Sequence, residues 1–463
     1  MLDDSTTDVS IDLPDMDSYW MPFTGNRYFK ENPRVIHKAE GMYCWSHDGR
    51  KLLDMVAGLW CCNAGHCDPR IVKAIQEQAK ELDYAMAFQL GHPKVFELAS
   101  KLVDIAPESI EHAFFVNSGS EAVDTAMKMV LAYHRIRGEG ERTRFIGRER
   151  GYHGVGFGGI SVGGMSPNRK MFGAMLPGVD HLPHTHNLEH NAFSRGLPEW
   201  GEHLADELEA IIALHDPSTI AGVIIEPIAG SAGVFLPPKG YLKKIREICT
   251  KHGIMLIFDE VICGFGRTGD AFASTRFDVT PDILTVAKGL TSGTVPMGAV
   301  LTRGDIYDTF MTGPESAIEF FHGYTYSGHP ACCAAALKNI EIIKRDKILE
   351  HVQEIEPYFH NKLQKLYELP IVGDVRGKGL MAGIECVINK DSKEALILDK
   401  AIGSRIDEES IKLGLIIRPL YHICVLSPAL IITKSQIDDL VEKLFTAIQN
   451  SLQQLKTEGL WKD

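Results

Sequence analysis

The amino-acid sequence predicts an α/β fold, a mostly parallel sheet wrapped by helices, and two observations carry that prediction. Between about residues 70 and 325, short continuous apolar runs of strand length recur, and amphipathic stretches separate them. Apolar runs without alternation suit strands covered on both faces, and strand–helix alternation marks parallel crossovers. In chain order, His112 to Val116 is the first run. Ser118-Gly119-Ser120-Glu121 follows it and opens a helical stretch with Val123, Met127 and Val130 on one face. Arg144-Phe145-Ile146-Gly147 precedes a loop, Gly151-Tyr152-His153-Gly154. Gly222 to Ile228 and Gly253 to Val261 are the next apolar runs, with a helix predicted between them over Tyr241 to His252. Ile283 to Ala287 and Gly298 to Leu301 complete the set. Ligands of such sheets bind beyond the carboxyl ends of the strands, so function is to be sought there. Outside this region, residues 18 to about 60 are irregular and rich in Trp, Tyr, Phe and Gly, and residues 330–463 begin and end with helical patterns.

The composition bounds the function. With 44% hydrophobic and 24% charged residues in a chain of 463, a packed core is expected. A net charge of -13 argues against nucleic acid, whose phosphates require a basic face, and against an anionic membrane surface. No apolar run reaches the length of about 18 residues that a spanning helix needs. Residues 1–17 are acidic and polar without a signal pattern, which predicts a disordered tail and a cytoplasmic protein. Ten cysteines include no C-x-x-C pair, so reduced, buried thiols are expected and not zinc or thioredoxin chemistry. His184-Thr185-His186 has no third ligand beside it, and no metal is expected.

The strand ends carry the chemistry. Asp259 closes one apolar run and Lys288 closes another. Each is costly to bury without a partner. One reading is a structural ion pair between the two. The other is functional: a desolvated lysine is a nucleophilic amine that condenses with an aldehyde, and a carboxylate can keep a pyridine nitrogen protonated, the two requirements of pyridoxal phosphate. A dianion would suit Ser118-Gly119-Ser120, where a strand gives way to a helix N-terminus and Gly119 lets the backbone approach closely. Ser118 and Glu121 also fit a capping box, and the two readings are compatible. Tyr152, in the loop with His153, could stack on a flat ring.

Taken together, Asn117-Ser118-Gly119-Ser120-Glu121-Ala122, Gly151-Tyr152-His153-Gly154, Glu226-Pro227, Phe258 to Gly269 and Ala287-Lys288-Gly289-Leu290 resemble the class III aminotransferases in order and spacing, from about residue 18 to 455. Tyr19 to Thr24, Gly58 to His66, Gly158 to Met165 and Phe320 to Pro330 are similar to the ω-amino-acid (β-alanine)–pyruvate branch, whereas Arg418 to Cys424 looks more like the broader ω-transaminases. The resemblance implies a pyridoxal-phosphate fold-type I protein. Its large domain, residues 70–329, would hold a mostly parallel seven-stranded sheet, and its small α/β domain would come from residues 18–69 and 330–463. It implies a homodimer or homotetramer with the site at the subunit interface, and an amino donor and pyruvate as substrates. It assigns Ser118, Gly119 and Ser120 to the phosphate, Thr325 to the phosphate of the partner subunit's cofactor, Tyr152 and Val261 to the two ring faces, and Asp259 to the ring nitrogen. His153 and Glu226 lie near the cofactor, and Lys288 is the catalytic amine. Trp60, Arg418, Phe23 and Phe88 would meet substrate, Arg418 through the substrate carboxylate.

Rival readings are a diamine or arylalkylamine donor, or another reaction on the same cofactor such as decarboxylation or an aminomutase. Gly264 to Gly269 also matches G-x-G-x-x-G after a strand. No amphipathic helix follows it, and Asp282 precedes the next strand instead of ending it, which disfavours a dinucleotide site. A non-enzymatic regulator would need an added interaction module, and no segment is spare for one.

Overall fold

A computed structural model describes residues 10–395 and 401–461. The acidic tail expected over residues 1–17 therefore lies outside the described residues as far as residue 9. Residues 10–25 carry no helix or strand, and Ile11 donates its N–H to the His47 carbonyl at 2.8 Å.

Near the N-terminus come β1 (Ile36–Glu40), β2 (Tyr43–Ser46) and β3 (Lys51–Asp54). The central strands are β4 (Ile110–Val116), β5 (Arg144–Arg148), β6 (Val179–Leu182), β7 (Ile220–Ile225), β8 (Met255–Asp259), β9 (Ile283–Val286) and β10 (Gly298–Arg303). They form one seven-stranded sheet in the order β4-β10-β9-β8-β7-β5-β6. The pairs β9–β8, β8–β7, β7–β5 and β5–β6 are parallel, while β10 runs antiparallel to both of its neighbours. Every residue of β7, β8 and β9 is buried, which is why these strands read as unbroken apolar runs. The predicted helix between two of them forms over Tyr241–His252 and ends at Gly253, whose φ of 65° is the left-handed cap. Edge strand β6 escaped the sequence reading because it is short, only partly buried and carries Asp180 and His181.

The C-terminal region adds β11 (Val372–Lys378), β12 (Met381–Asn389), β13 (Glu394–Ala395), β14 (Leu415–Ile416), β15 (Arg418–Leu420) and β16 (Ile423–Leu426). Strands β11-β12-β16-β15 form a second sheet, with β13 on β12. Strand β14 pairs in parallel with β3, Leu415 against Leu53 and Ile416 against Asp54, so the two ends of the chain share a third sheet. Arg267, from the glycine-rich segment after β8, locks these parts together. Fully buried, it donates to the Leu380 carbonyl (3.2 Å), the Pro428 carbonyl and Asn63 Oδ1 (2.9 Å). Burial pushes its pKa down to about 10. The G-x-G-x-x-G match is thus a core joint. Among the described residues no helix is long and apolar enough to cross a membrane.

Candidate active site

The carboxyl ends of β4, β7, β8 and β9, with the loop after β5, surround a cleft of about 140 Å³. Gly119, Ser120, Tyr152, His153, Gly154, Glu226, Asp259, Val261, Ile262 and Lys288 line it. Parallel strands bring their ends to one edge, so residues far apart in sequence meet there.

Lys288 lies just past β9, opens a 3-10 turn with Thr291, and has a left-handed φ of 45°. Held by the surrounding structure, a non-glycine residue in this conformation marks a site where geometry matters more than local comfort. Burial lowers the lysine pKa, and the charges of Asp259 and Cys61 work in the opposite direction. Among the described residues no ion pair joins Lys288 to a carboxylate. Asp259 Oδ2 instead accepts from His153 Nδ1 at 2.8 Å, and Oδ1 accepts from the Val261 N–H at 3.1 Å. The structural ion pair left open by the sequence is therefore not formed. His153, its side chain fully buried, holds the aspartate while Lys288 faces the cleft.

The other lining groups suit a flat, phosphorylated ring. Helix Gly119–Ile136 points its N-terminus at the cleft, and only half of the expected capping box forms: Ser118 Oγ accepts from the Glu121 N–H (3.2 Å), while the Glu121 carboxylate accepts from the N–H of Asn117 (2.7 Å), one residue before the cap. A Cβ on Gly119 would sit 2.8 Å from Val261 Cγ1, and one on Gly154, whose φ is 88°, would sit 2.5 Å from Ser120 Oγ. Both glycines keep open a cradle that any side chain would fill. Glu226 follows β7, is fully buried, and accepts the Tyr152 N–H on Oε1 at 2.9 Å. Burial pushes its carboxyl up to about 7, and that of Glu260, which accepts the N–H groups of Ala273 and Ser274, equally to about 7. Tyr152 is also raised, by burial first and then by Asp259 and Glu226, with the charge of Arg418 opposing.

A stability prediction follows from Glu226. Its folded pKa lies above the unfolded value, so folding favours the protonated form, and stability present at low pH is lost as pH rises through about 7. Glu226→Gln should make the apoprotein more stable at pH 8 by on the order of 1–3 kcal/mol, with little change at pH 5. Urea melts at the two pH values test this. Glu260 keeps a residual slope in the variant, and an unchanged slope would reject the assignment.

The remaining sequence-predicted residues lie away from the cleft wall. Ser118 is engaged as the helix cap. Trp60 is buried in the same apolar cluster as Ile262, with a left-handed φ of 65°. Phe88 is half exposed and packs on Gly323, and Phe23 is 77% exposed. Thr325 is exposed, its carbonyl accepting from the Tyr84 hydroxyl at 3.0 Å. Arg418 is exposed at the start of β15, close enough for its charge to act on Tyr152 and Asp407. Sequence reasoning missed Ile262 and the His153–Asp259 pair. Ile262 directly follows Val261, but no pattern links His153 to an aspartate 106 positions away. One group with metal-ligand atoms within 4.8 Å of one another also went unnoticed: Cys44, Asp54 and His66. Asp54 there holds the turn before Trp60, accepting from the Val56 N–H (2.9 Å) and Gly58 N–H (2.6 Å) and pairing with His66 Nε2 (2.7 Å).

The chain is 53% identical over 430 residues to an omega-aminotransferase of Caulobacter vibrioides, covering 93% of this chain and 97% of that protein. It is 50% identical over 373 residues to an omega-amino acid–pyruvate aminotransferase of Pseudomonas putida, covering 80% and 83%. Its fold superposes on the PLP-bound crystal structure of an amine transaminase from an uncultivated Pseudomonas species with a TM-score of 0.89 at 38% identity, covering 94% and 98% of the two chains. Residues 25–448 match the profile of aminotransferase class-III, and the chain belongs to that family.

Proposed function

We propose that this enzyme is an ω-amino-acid–pyruvate aminotransferase, moving an amino group from a β-alanine-like donor to pyruvate and releasing alanine and a semialdehyde or ketone. The observation that carries the reading is a half-buried Lys288 that shares one cleft with an Asp259 anchored by His153, in a chain 50% identical over 373 residues to an omega-amino acid–pyruvate aminotransferase. When bound, pyridoxal 5'-phosphate supplies an electron-accepting pyridinium ring and an aldehyde carbon that carries the amino group between substrates. Gly119 and Ser120 would take its phosphate at the helix N-terminus, beside the Ser118 cap. Tyr152 and Val261 would flank the ring, and Asp259 would meet its nitrogen. Glu226 supports the Tyr152 backbone. Lys288 Nζ holds the proton taken from the donor carbon and returns it one position along. Burial lowers its pKa, so the free amine is favoured more than in an exposed lysine.

Thr325 is exposed on this chain, which suits a contact across a homodimer or homotetramer interface, and the enzyme is proposed to act in the cytoplasm. Phe23 and Phe88, both exposed, would be covered in the same assembly and line the substrate entrance, with Trp60 in the apolar cluster of Ile262. Arg418 would grip the substrate carboxylate with its planar fork. Arg418→Ala should lower kcat/KM for pyruvate and β-alanine by about 10- to 100-fold, the worth of a charge-assisted hydrogen bond, while an uncharged amine donor is nearly unaffected. Equal losses on all donors would reject the role.

The absorption spectrum of the holoenzyme tests the function itself. The cofactor band should bleach with β-alanine and return with pyruvate, and initial rates should follow a ping-pong pattern because both half-reactions use one pocket. A band untouched by β-alanine but bleached by a diamine or arylalkylamine would move the donor class. A ternary-complex pattern would reject the mechanism.

A further inference from the structure

Cys61 and Cys62 lie beside the catalytic lysine and are used by no step above. Their sulfurs are 3.9 Å apart. Both press on Gly293, where a Cβ would sit 2.9 Å from Cys61 Sγ and 3.2 Å from Cys62 Sγ, and both press on Gly58, at 3.4 and 3.2 Å. Gly293 closes the turn that presents Lys288, donating its N–H to the Lys288 carbonyl at 3.2 Å. The same segment is bolted to that turn twice more: the Ala64 N–H donates to Ser292 Oγ at 3.0 Å, and Asn63 packs where a Cβ on Gly289 would be. A change in the covalent state of the two sulfurs therefore reaches Lys288 through packed backbone.

We propose that Cys61 and Cys62 form an oxidative modification site, in which a hydroperoxide converts the pair to a vicinal disulfide and so displaces the Lys288 turn. The Cys61 thiolate attacks the terminal peroxide oxygen and the O–O bond breaks, giving a sulfenic acid and an alkoxide (hydroxide when the oxidant is hydrogen peroxide). The Cys62 thiol then attacks that sulfur, forming the S–S bond and releasing water. The two sulfur atoms lose two electrons in all and the peroxide gains them. Cys61 is the attacking group because it is half-buried, not sealed, and its thiol is held below the ordinary range by the hydrogen bond with Cys62, with the Leu59 backbone and Lys288 contributing against burial. Burial pushes Cys249, Cys263, Cys333, Cys386 and Cys424 the other way, which sets Cys61 apart from these five thiols. Adjacent Cα atoms are about 3.8 Å apart, closer than disulfides prefer, so the bond is strained and readily reduced.

The test treats the holoenzyme with hydrogen peroxide, alkylates free thiols and reads peptide masses alongside activity. The expected result is a peptide spanning Cys61 and Cys62 that is lighter by about 2 Da and unalkylated. Activity should fall in step by about tenfold or more, and a thiol reductant should restore it. Cys62→Ser should trap Cys61 in higher oxidation states that the reductant no longer reverses, and Cys61→Ser should keep its own starting activity through the treatment. Exposed Cys67 serves as an internal control for oxidant dose. Activity lost while both thiols remain alkylatable, Cys67 oxidised with the pair untouched, or a Cys61→Ser variant as sensitive as the parent would each overturn the proposal.

Discussion

Lys288→Ala is expected to abolish transamination, lowering turnover on the order of 10⁴-fold or more, because a positioned base and an anchoring amine are lost together. The same change should leave the apoprotein folded and more stable at pH 8. The folded pKa of Lys288 lies below the unfolded value of 10.5, so the unfolded chain binds the proton more readily, and the wild-type apoprotein gains stability as pH rises through that window. Alanine removes both the cost and the pH dependence. A structural ion pair makes the opposite forecast: removing one partner of a buried pair destabilises by about 3–5 kcal/mol. Urea melts of the apo forms at pH 7 and 9, beside single-turnover assays, separate the two outcomes. A small added alkylamine should restore part of the proton transfer in the variant. Wild-type turnover in Lys288→Ala, or a large loss of stability, would end the assignment.

The second large effect is Asp259→Asn. The substitution preserves shape, removes the charge and replaces one acceptor oxygen with a donor. An amide can accept on one side only, and it meets two donors here, His153 Nδ1–H and the Val261 N–H. The ring nitrogen would also lose the carboxylate that keeps it protonated. Turnover is expected to fall by about 10²- to 10³-fold, the scale of removing one preorganised electrostatic contact. Cofactor affinity should fall with it. Stopped-flow half-reactions with β-alanine, at saturating pyridoxal phosphate, check the first, and a titration of apoenzyme with cofactor checks the second. A variant within a few-fold of wild type would reject the electrostatic role of Asp259.

How much of this was legible in the sequence depends on the kind of contact. The strand runs around Val223, Ile257 and Leu284 were readable because strands buried on both faces leave no polar alternation. Lys288 and Asp259 stood out because a charge at the end of such a run demands a reason. The helix over Tyr241–His252 was readable as the stretch between two such runs, and the structure adds the left-handed glycine cap that ends it. Strand direction was not readable: Gly298–Arg303 is as apolar as its neighbours and runs the other way.

The amino-acid sequence by itself determined an α/β chain with a desolvated lysine, an aspartate and a glycine-opened helix N-terminus at three strand ends, because these are local properties of composition and period. Only the tertiary structure decided which groups meet. It gave Asp259 to His153 and not to Lys288, turned the G-x-G-x-x-G segment into the seat of buried Arg267, and set Cys61 and Cys62 against the Lys288 turn. Those contacts depend on the order and register of strands distant in the chain, which pairing and close packing select and no short window of sequence contains.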